Sequence, residues 1–403
     1  MAFHRSTLVL LALSSLCIWL YLVLAHGRFW LSTPELLPAI PLDRPDVDII
    51  VPARDEAQTI GPVIASLLAQ DYAGKFQIIL VDDDSSDGTA DLARTAAVGA
   101  GAIPGSPTLG TVAVTAGGPT LQVISGVPKP PGWSGKLWAV NQGVALSRAP
   151  ILLLADADIL HDPRHLSTLV AHLKESGVNA PRIATPRMDM VSEMVRLNCS
   201  SLAERALVPA FVYFFQMLYP FARVNDPTSK GAAAAGGTVL IRREALERIG
   251  GIAAIKGALI DDVALAKAVK RGGAIYLGHS GLATSIRRYP HCADIWHMIT
   301  RTAFTQLHYS AALLACTLVG LALVWWVPVG EAVLSHGPQR WCGLAAFVLG
   351  ASSYLPTLAR YHRNRFWSLA LPLIALFYLA ATLMSALNYW LGSGARWKNR
   401  DYG

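Results

Sequence analysis

Apolar and polar positions divide the chain into long uncharged stretches near its ends and a mixed stretch between them. Four segments lack any charged residue and are close to the length of about 20 residues at which a helix crosses a bilayer. They are residues 7–25, 309–330, 341–359 and 367–394. The first is longer than the apolar core of a cleavable signal peptide. We therefore predict an N-terminal membrane anchor within residues 1–30 and about three spans within residues 306–403.

The stretch between the first two of these segments alternates short apolar runs with amphipathic segments. Apolar runs predict buried strands at residues 47–51, 77–81, 121–125 and 151–155. Helical spacing predicts helices at residues 57–70, 87–97 and 136–147, and a further helix opened by Asp162 and Pro163. Strands that alternate with helices form a mostly parallel sheet. Residues 45–305 are therefore predicted to be an α/β domain whose ligands bind beyond the carboxyl ends of the strands.

Composition supports the membrane assignment and narrows the range of partners. Hydrophobic residues make up 53% of the 403 residues and charged residues 15%, whereas about a quarter of a soluble domain is charged. The net charge of +7 suits an anionic membrane surface, and the chain has no run of five Lys/Arg that would suit nucleic acid. We expect a membrane and no nucleic acid as partner. The five scattered cysteines form no CxxC pair, which fits a reducing compartment without a zinc cluster.

Three adjacent carboxylates, Asp82, Asp83 and Asp84, follow the second predicted strand. One interpretation is an acidic turn in which Ser86 or Asp87 caps the next helix. Adjacent carboxylates also repel one another unless donors or a cation offset their charge. At an edge where a ligand is expected, the row therefore indicates a binding role in addition to a cap.

Two further acidic pairs occupy similar positions. Asp156 and Asp158 follow the fourth predicted strand, and residues i and i+2 of an extended backbone point to the same side. Both carboxylates are therefore expected to reach one divalent ion, Mg²⁺ or Mn²⁺, since these ions prefer oxygen ligands. Asp261 and Asp262 precede a helical segment, where Asp261 can serve as the N-cap. Asp262 would lie in the first turn, where the helix dipole favours the ionised state that a general base requires.

Six segments in order resemble the motifs of the inverting family 2 glycosyltransferases, which have the nucleotide-binding fold called GT-A. The segments are VPARDEAQTI (51–60), VDDDSSDGT (81–89), GKLWAVNQG (135–143), LADAD (154–158), GGTVLIRREALERIGG (236–251) and LIDDVALA (259–266). The resemblance covers residues 45–305. The anchor, the WSGKLWA segment and the apolar C-terminal block are similar to ceramide-glucosyltransferase-like members, and still more to the hopanoid-biosynthesis-associated glycosyltransferases of bacteria.

The resemblance implies which residues hold a nucleotide-sugar donor. The first motif would lie beside the base and ribose, Asp83 would contact the uracil ring, and basic side chains would lie near the diphosphate. These donor residues are Pro52, Ala53, Arg54, Glu56, Asp83, Lys136, Asp156 and Arg301.

The resemblance also implies a metal ligand, an acceptor pocket and a base. Asp158 would bind the divalent metal, with Asp156 supporting the metal and the ribose. Glycine lets a substrate approach the backbone closely, and the pocket floor would consist of Gly236, Gly237 and Thr238. Asp262 would be the catalytic base, and repulsion by Asp261 would raise its pKa.

Two departures from the family pattern bear on the function. Asp55 stands where many members have Asn, and the (Q/R)xxRW motif of polysaccharide synthases keeps only Arg301 and lacks its Trp. A processive polysaccharide synthase is therefore disfavoured, although it is the nearest alternative. A sugar nucleotidyltransferase would need a glycine-rich loop in place of VPARDEA, and a scaffold or transporter would have no use for acidic clusters at one sheet edge.

The predicted function is transfer of a sugar from a nucleotide sugar, expected to be a UDP-sugar, to a membrane lipid with inversion. A hopanoid is the lipid that the nearest resemblance implies. The aromatic segment at residues 207–221 is too short to span a bilayer, and is predicted to be a buried helix or, as we favour, a helix in the membrane interface. The segment at residues 99–119 is predicted to be a loop insertion.

Nucleotide sugars are cytosolic, so the catalytic domain of this multi-pass protein is expected on the cytoplasmic side of the cell inner membrane. Three arginines at residues 360–365 agree with this orientation. Three full C-terminal crossings would place the basic residues at 396–400 on the opposite side, which disagrees with the same rule. The sequence therefore leaves the number and orientation of the C-terminal spans open.

Overall fold

A computed structural model describes residues 2–99, 103–104, 111–113, 118–174, 187–392, 396–397 and 400–401. The chain divides into two compact units. The helical unit contains Met1–Thr33, Cys199–Ala222 and Tyr289–Arg396. The α/β unit contains Pro34–Asn198, Arg223–Arg288 and Trp397–Gly403. Two segments of the domain predicted at residues 45–305 thus belong to the helical unit.

One ten-stranded sheet forms the centre of the α/β unit in the part of the chain that the structure describes. Its strands are β1 (Val47–Ala53), β2 (Phe76–Asp82), β3 (Ile103–Pro104), β4 (Thr111–Ala113), β5 (Thr120–Ser125), β6 (Ile151–Ala155), β7 (Ile159–His161), β8 (Met188–Arg196), β9 (Thr238–Arg242) and β10 (Ala274–Ser285). Their order is β3-β4-β5-β2-β1-β6-β9-β8-β10-β7. A separate pair consists of β11 (Arg396–Trp397) and β12 (Arg400–Asp401).

The four strands predicted from apolar runs lie side by side in the order β5, β2, β1 and β6, and their pairs are all parallel. β1 pairs in parallel with β2 and β6, and β2 pairs in parallel with β5. Nearly every residue of β1 is buried, as expected for a parallel strand that is covered on both faces. The insertion at residues 99–119 contributes β3 and β4 to the edge of the sheet, so its described part is more than a loop.

The sequence pattern did not predict the other half of the sheet. There β9 runs antiparallel to β6 and β8, and β10 pairs with β8 and β7. β8 and β10 carry buried polar residues, among them Asp189, Glu193 and His279. These residues interrupt the apolar runs by which a buried strand is recognised.

The helices of the described chain are α1 (Ala2–Leu24), α2 (Ile60–Leu68), α3 (Thr89–Gly99), α4 (Gly135–Leu146), α5 (His165–Lys174), α6 (Leu202–Leu218), α7 (Phe221–Asn225), α8 (Arg243–Arg248), α9 (Asp261–Lys270), α10 (Cys292–Gln306), α11 (Ala311–Leu321), α12 (Val327–Leu334), α13 (Pro338–Arg360) and α14 (Leu371–Trp390). Short 3₁₀ helices lie at Phe29–Leu31, Ile252–Ile255 and Arg365–Ala370, and a π-helical turn at Ala322–Trp326 joins α11 to α12. In the α/β unit, α2 buries the apolar face that its sequence predicts, which consists of Ile60, Val63, Ile64, Leu67 and Leu68.

Three stretches of the helical unit are long and apolar enough to cross a membrane. They are Ala311–Leu334, Pro338–Arg360 and Arg365–Trp390, which confirms the three predicted C-terminal spans by length and composition. The apolar part of α1, Val9–Leu24, is shorter. Trp19 in this part is buried and donates from Nε1 to the carbonyl of Val324 at 2.8 Å, so α1 packs against the first of these stretches.

The aromatic segment at residues 207–221 lies mostly in α6. Tyr213 is fully buried and hydrogen-bonds to α13 at 2.6 Å. The ring of Phe214 packs against those of Trp325 and Tyr378, with centroids 6.1 and 5.1 Å away. Of the two predictions for this segment, a buried helix describes this face of α6, because the long apolar helices of the same unit cover it.

Candidate active site

The carboxyl end of β6 meets the N-terminal ends of α4 and α9, which brings three of the sequence motifs together. Ser134 caps α4 by accepting a hydrogen bond from the backbone N–H three residues on, at 3.2 Å. Lys136 follows in the first turn, and its Nζ lies 2.9 Å from Asp156 Oδ1 and 3.1 Å from Asp261 Oδ2. Together with Asp262, these three charged residues are named the lysine cluster.

Burial and charge together set the pKa values of the lysine cluster. Burial lowers the pKa of Lys136, but the carboxylates of Asp156 and Asp261 outweigh burial and raise that pKa well above its usual value. Burial and repulsion by Asp158 raise the pKa of Asp156 to about 6, although Lys136 opposes the shift. Burial and the charge of Asp261 raise the pKa of Asp262 to about 7. Lys136 is therefore a cation at neutral pH, where Asp262 can exchange a proton.

The two glycines predicted as an acceptor floor lie beside the predicted base. A Cβ atom on Gly236 would lie 3.3 Å from Asp262 Oδ2, so a glycine leaves the space that the carboxylate uses. The carbonyl of Gly237 accepts a hydrogen bond from the backbone N–H of Asp156 at 3.0 Å. A cleft opens here, and among the residues that line it are Pro52, Lys136, Asp156, Gly236, Asp261 and Asp262. The cleft thus brings together the end of β1, the start of α4, the turn after β6, the glycines before β9 and the start of α9.

The first motif and the loop after β2 are interlocked by hydrogen bonds. Asp55, at a positive φ of 49°, donates from its N–H to Ser85 Oγ and accepts from the N–H of Ser86, both at 2.9 Å. The N–H of Glu56 donates to Thr89 Oγ1, also at 2.9 Å. An Asn side chain would offer the same acceptor oxygen as Asp55, so this departure from the family pattern is compatible with the loop.

Two carboxylates of the loop after β2, Asp83 and Asp87, are held by neighbouring donors. Asp83 is 4% exposed and lies 3.7 Å from Nη1 of Arg54, which also donates to the Asp83 carbonyl. Asp87 accepts from the N–H of Thr89, at the start of α3, at 3.1 Å and from the N–H of Ala57 at 2.9 Å. Burial opposes the shift, but a hydrogen bond from the Thr89 hydroxyl and those from the two N–H groups lower the pKa of Asp87. The predicted cap is therefore Asp87.

Asp156 and Asp158 contact different cations, although the sequence predicts that they reach one ion together. β6 ends before Asp156 and the chain turns there, so the alternation of an extended backbone does not apply. Asp158 is 7% exposed and accepts a hydrogen bond from Nε of Arg287. Arg287 also donates from Nη2 to Glu56 Oε1 at 2.7 Å. Sequence reasoning missed Arg287, and its one signal was a basic pair just after a strand.

The model of the family described as "Glycosyltransferase like family 2" matches residues 45–307, which is well over half of the chain. The chain belongs to glycosyltransferase family 2. The match confirms the family that the six sequence motifs resemble, and it covers the lysine cluster and Arg287. Members of this family use nucleotide-sugar donors, and we expect the donor to bind in the cleft.

Two bacterial proteins are similar in sequence to this family 2 glycosyltransferase over short segments. An N-acetylglucosaminyltransferase of Mesorhizobium japonicum is 30% identical over 137 residues, which are 34% of this chain and 27% of that protein. The succinoglycan biosynthesis protein ExoU of Rhizobium meliloti is 29% identical over 126 residues, which are 31% of this chain and 30% of that protein. The matched segments thus amount to less than a third of the length of either relative.

A solved structure supports the fold assignment. The mannosyltransferase from Pyrobaculum calidifontis in complex with GDP-Man and Mn²⁺ is 20% identical, with a TM-score of 0.54. The superposition covers 96% of this chain and 99% of that one. The two proteins therefore share a fold, and the GT-A class predicted for the α/β unit is confirmed.

A divalent metal in this glycosyltransferase would have few protein ligands. Within the described ranges, no group of three or more His, Cys, Asp or Glu side chains is placed to hold an ion. Mg²⁺ is commonly bound by one or two carboxylates together with substrate phosphates. Asp156 and Asp158, at the end of β6, fit that arrangement because a nucleotide diphosphate would supply the remaining oxygen ligands.

A second network of buried charge begins at Thr238, the third residue of the predicted acceptor floor. Thr238 Oγ1 donates to Glu193 Oε1 at 2.8 Å, and the same carboxylate pairs with Nε2 of His165. Nδ1 of His165 hydrogen-bonds to Nδ1 of His161 at 3.0 Å. Burial would raise the pKa of Glu193, but His165 and the hydrogen bonds lower it. Sequence reasoning missed this network because its members come from four separate elements.

Arg301, predicted to face the diphosphate, is an exposed residue of α10. α10 belongs to the helical unit, whereas the lysine cluster belongs to the α/β unit. The role of Arg301 stays a prediction.

Proposed function

We propose that this family 2 glycosyltransferase is an inverting, metal-dependent enzyme that transfers a sugar, from a donor expected to be a UDP-sugar, to a membrane lipid. The lysine cluster is the observation that carries the proposal. It combines a cation, Lys136, with a carboxylate, Asp262, whose pKa is raised to about 7, and both line one cleft. A sugar transfer needs these two kinds of group, one for the leaving diphosphate and one for the acceptor proton.

The transfer is a single displacement at the anomeric carbon. The acceptor hydroxyl gives its proton to Asp262, and its oxygen forms the new bond to the sugar. The bond between the sugar and the diphosphate oxygen breaks, and the nucleoside diphosphate leaves with the bonding electrons. Attack and departure occur on opposite faces, so the configuration inverts.

Lys136 stabilises the departing diphosphate, because a preorganised cation acts where negative charge develops. Its present partners, Asp156 and Asp261, hold it in the cleft until the donor arrives. Pro52, Ala53 and the remaining residues of the interlocked loops would hold the nucleoside. The loop hydrogen bonds support this role, because they fix the backbone that the base would contact.

Asp158, supported by Asp156, would hold a Mg²⁺ or Mn²⁺ ion together with the diphosphate. Such an ion supplies positive charge against the leaving group when it is bound. The position of Asp158 just after the carboxyl end of β6 supports the assignment, because the diphosphate of a donor bound in the neighbouring cleft would supply further oxygen ligands.

A lipid acceptor is supported by the three apolar helices that belong to the same chain as the cleft. A small, glycine-lined floor suits an acceptor that brings one hydroxyl to the base. A hopanoid is the finer proposal, and it rests on the family resemblance. The catalytic unit would face the cytoplasm, where nucleotide sugars are made, from the cell inner membrane.

The proposal is tested with the full chain in lipid nanodiscs and donors labelled in the sugar. We expect label in the organic extract, a requirement for Mg²⁺ or Mn²⁺, and an inverted linkage by NMR of the product. An Asp262→Asn preparation serves as the inactive control. Label found only in a water-soluble polymer would overturn the lipid acceptor and favour a polysaccharide synthase, in line with the similarity to the succinoglycan biosynthesis protein ExoU.

A further inference from the structure

Arg287 forms an ionic bridge across the end of β6. Its guanidinium contacts Asp158 Oδ2 through Nε and Glu56 Oε1 through Nη2. The side chains of Asp158 and Glu56 are 11% and 10% exposed, whereas that of Arg287 is 38% exposed. The charged head thus lies between two buried carboxylates while part of the arginine still reaches solvent.

The backbone holds this bridge in place. The N–H of Ile286 donates to the carbonyl of Asp158 at 2.9 Å, and the N–H of Arg287 donates to Ser285 Oγ at 3.3 Å. The segment that follows β10 is therefore fixed against the turn that follows β6. These two hydrogen bonds fix the backbone from which the Arg287 side chain reaches Asp158 and Glu56.

We infer that Arg287 neutralises Asp158 while no divalent metal is bound, and that this ion pair makes metal binding depend on the nucleotide. The inference deepens the proposed function and rests on its assignment of the metal to Asp158.

The charges at the site supply the physical reason. The bridge holds two carboxylates and one guanidinium, and a divalent ion added beside Asp158 would lie against the positive charge of Arg287. The other carboxylate of the motif, Asp156, is already paired with Lys136 at 2.9 Å. A nucleotide diphosphate brings the missing negative charge and further oxygen ligands. Metal and nucleotide should therefore bind cooperatively, each raising the affinity for the other by the same factor.

Arg287 need not leave the site when the metal enters. Its contact with Glu56 uses Nη2, and its contact with Asp158 uses Nε. Loss of the Asp158 contact alone frees a carboxylate oxygen, while the Glu56 contact keeps the arginine beside the first motif. The partial exposure of the Arg287 side chain leaves room for such a shift.

The test measures Mn²⁺ binding to the full chain in nanodiscs from the electron paramagnetic resonance signal of free Mn²⁺, with and without UDP. Mn²⁺ bound by UDP alone is subtracted from a protein-free sample. We expect UDP to tighten Mn²⁺ binding to the wild type on the order of tenfold or more. Arg287→Gln should tighten Mn²⁺ binding without UDP by a similar factor and reduce the effect of UDP. Arg287→Lys, which keeps the charge, should behave like the wild type.

Arg288→Gln is the matched control, because Arg288 is the exposed neighbour and has the same charge. We expect it to leave Mn²⁺ binding unchanged. An Arg287→Gln protein that binds Mn²⁺ no more tightly than the wild type, while Asp158→Asn abolishes the binding seen with UDP, overturns the inference and leaves the metal site standing. Tight Mn²⁺ binding to the wild type without UDP also overturns it, and needs no variant. Absence of Mn²⁺ binding to every protein, with UDP present, overturns both the inference and the metal site.

Discussion

Two clusters of charged side chains in the α/β unit, one half-buried and one enclosed in the core, differ in what lies next to them. In the lysine cluster, the carboxyl groups of Asp156 and Asp262 line a cleft and have raised pKa values. In the network of Thr238, Glu193, His165 and His161, the carboxylate of Glu193 is enclosed and pairs with His165, and the pKa of Glu193 is lowered. A carboxylate beside a cleft whose pKa is raised can accept a proton, whereas a carboxylate enclosed in the core and paired with His165 and Thr238 holds secondary-structure elements together.

The largest expected effect is the loss of turnover when the base Asp262, in the lysine cluster, is replaced. Asp262→Asn should lower sugar transfer by about 10²–10⁴-fold, because a positioned general base contributes that much. Nucleotide binding should stay within a few-fold of the wild type, as measured by calorimetry. Asp91→Asn, at an exposed carboxylate in the first turn of α3, is the control and should keep full activity. Turnover of Asp262→Asn near the wild-type rate would reject Asp262 as the base.

In the enclosed network, the main effect should be on stability. Glu193→Leu removes the partner of His165 and should lower the free energy of unfolding by about 3–5 kcal/mol. Thermal unfolding in detergent measures the loss, and the turnover of the protein that stays folded should change far less than in Asp262→Asn. Glu244→Leu, which breaks an exposed pair with Arg187, should cost under about 1 kcal/mol. Equal losses in the two variants would contradict the structural role of the network.

The pH dependence of transfer sharpens the same contrast. Asp262 accepts a proton only when it is ionised, and its pKa is raised to about 7. The value of kcat/KM should therefore fall about tenfold for each pH unit below that pKa and level off above it. Rates measured from acid to alkaline pH, with nucleotide binding followed over the same range, provide the check. A rate that is constant down to the pKa of an ordinary carboxyl group would show that Asp262 does not limit the reaction.

The smallest expected effect concerns the geometry beside the base. Gly236→Ala places a methyl group about 3.3 Å from Asp262 Oδ2, so the carboxylate must shift by a few tenths of an ångström. We expect a loss of about tenfold in kcat, since small misplacement of a reacting group is costly. Gly281→Ala is the control, because a Cβ atom there meets no other atom within 4 Å. A similar loss of kcat in both variants would show that Gly236 has no special part in positioning Asp262.

The sequence by itself determined the part of the sheet formed by β5, β2, β1 and β6. The apolar runs became β1, β2, β5 and β6. β1, β2 and β6 bury most of their residues, as parallel strands covered on both faces do, and β5 alternates between buried and partly exposed residues. Acidic motifs at strand ends and helix starts were predicted to collect at one edge of the sheet, and Asp156 and Asp261 do so around Lys136. The length of the uncharged C-terminal segments likewise determined three helices fit to span a membrane.

Only the tertiary structure decided which charges meet. Arg287 is 129 residues from Asp158 and 231 from Glu56, and no local pattern relates residues so far apart. Asp156 and Asp158 are two residues apart, yet a turn and two competing cations direct them to different partners. The strand that carries Glu193 was hidden because buried polar residues break its apolar pattern, and the strand that begins at Thr238 has only a short apolar run before Arg242. Hydrophobic periodicity is a local property of the chain, whereas an ion pair depends on the side chains that packing brings together.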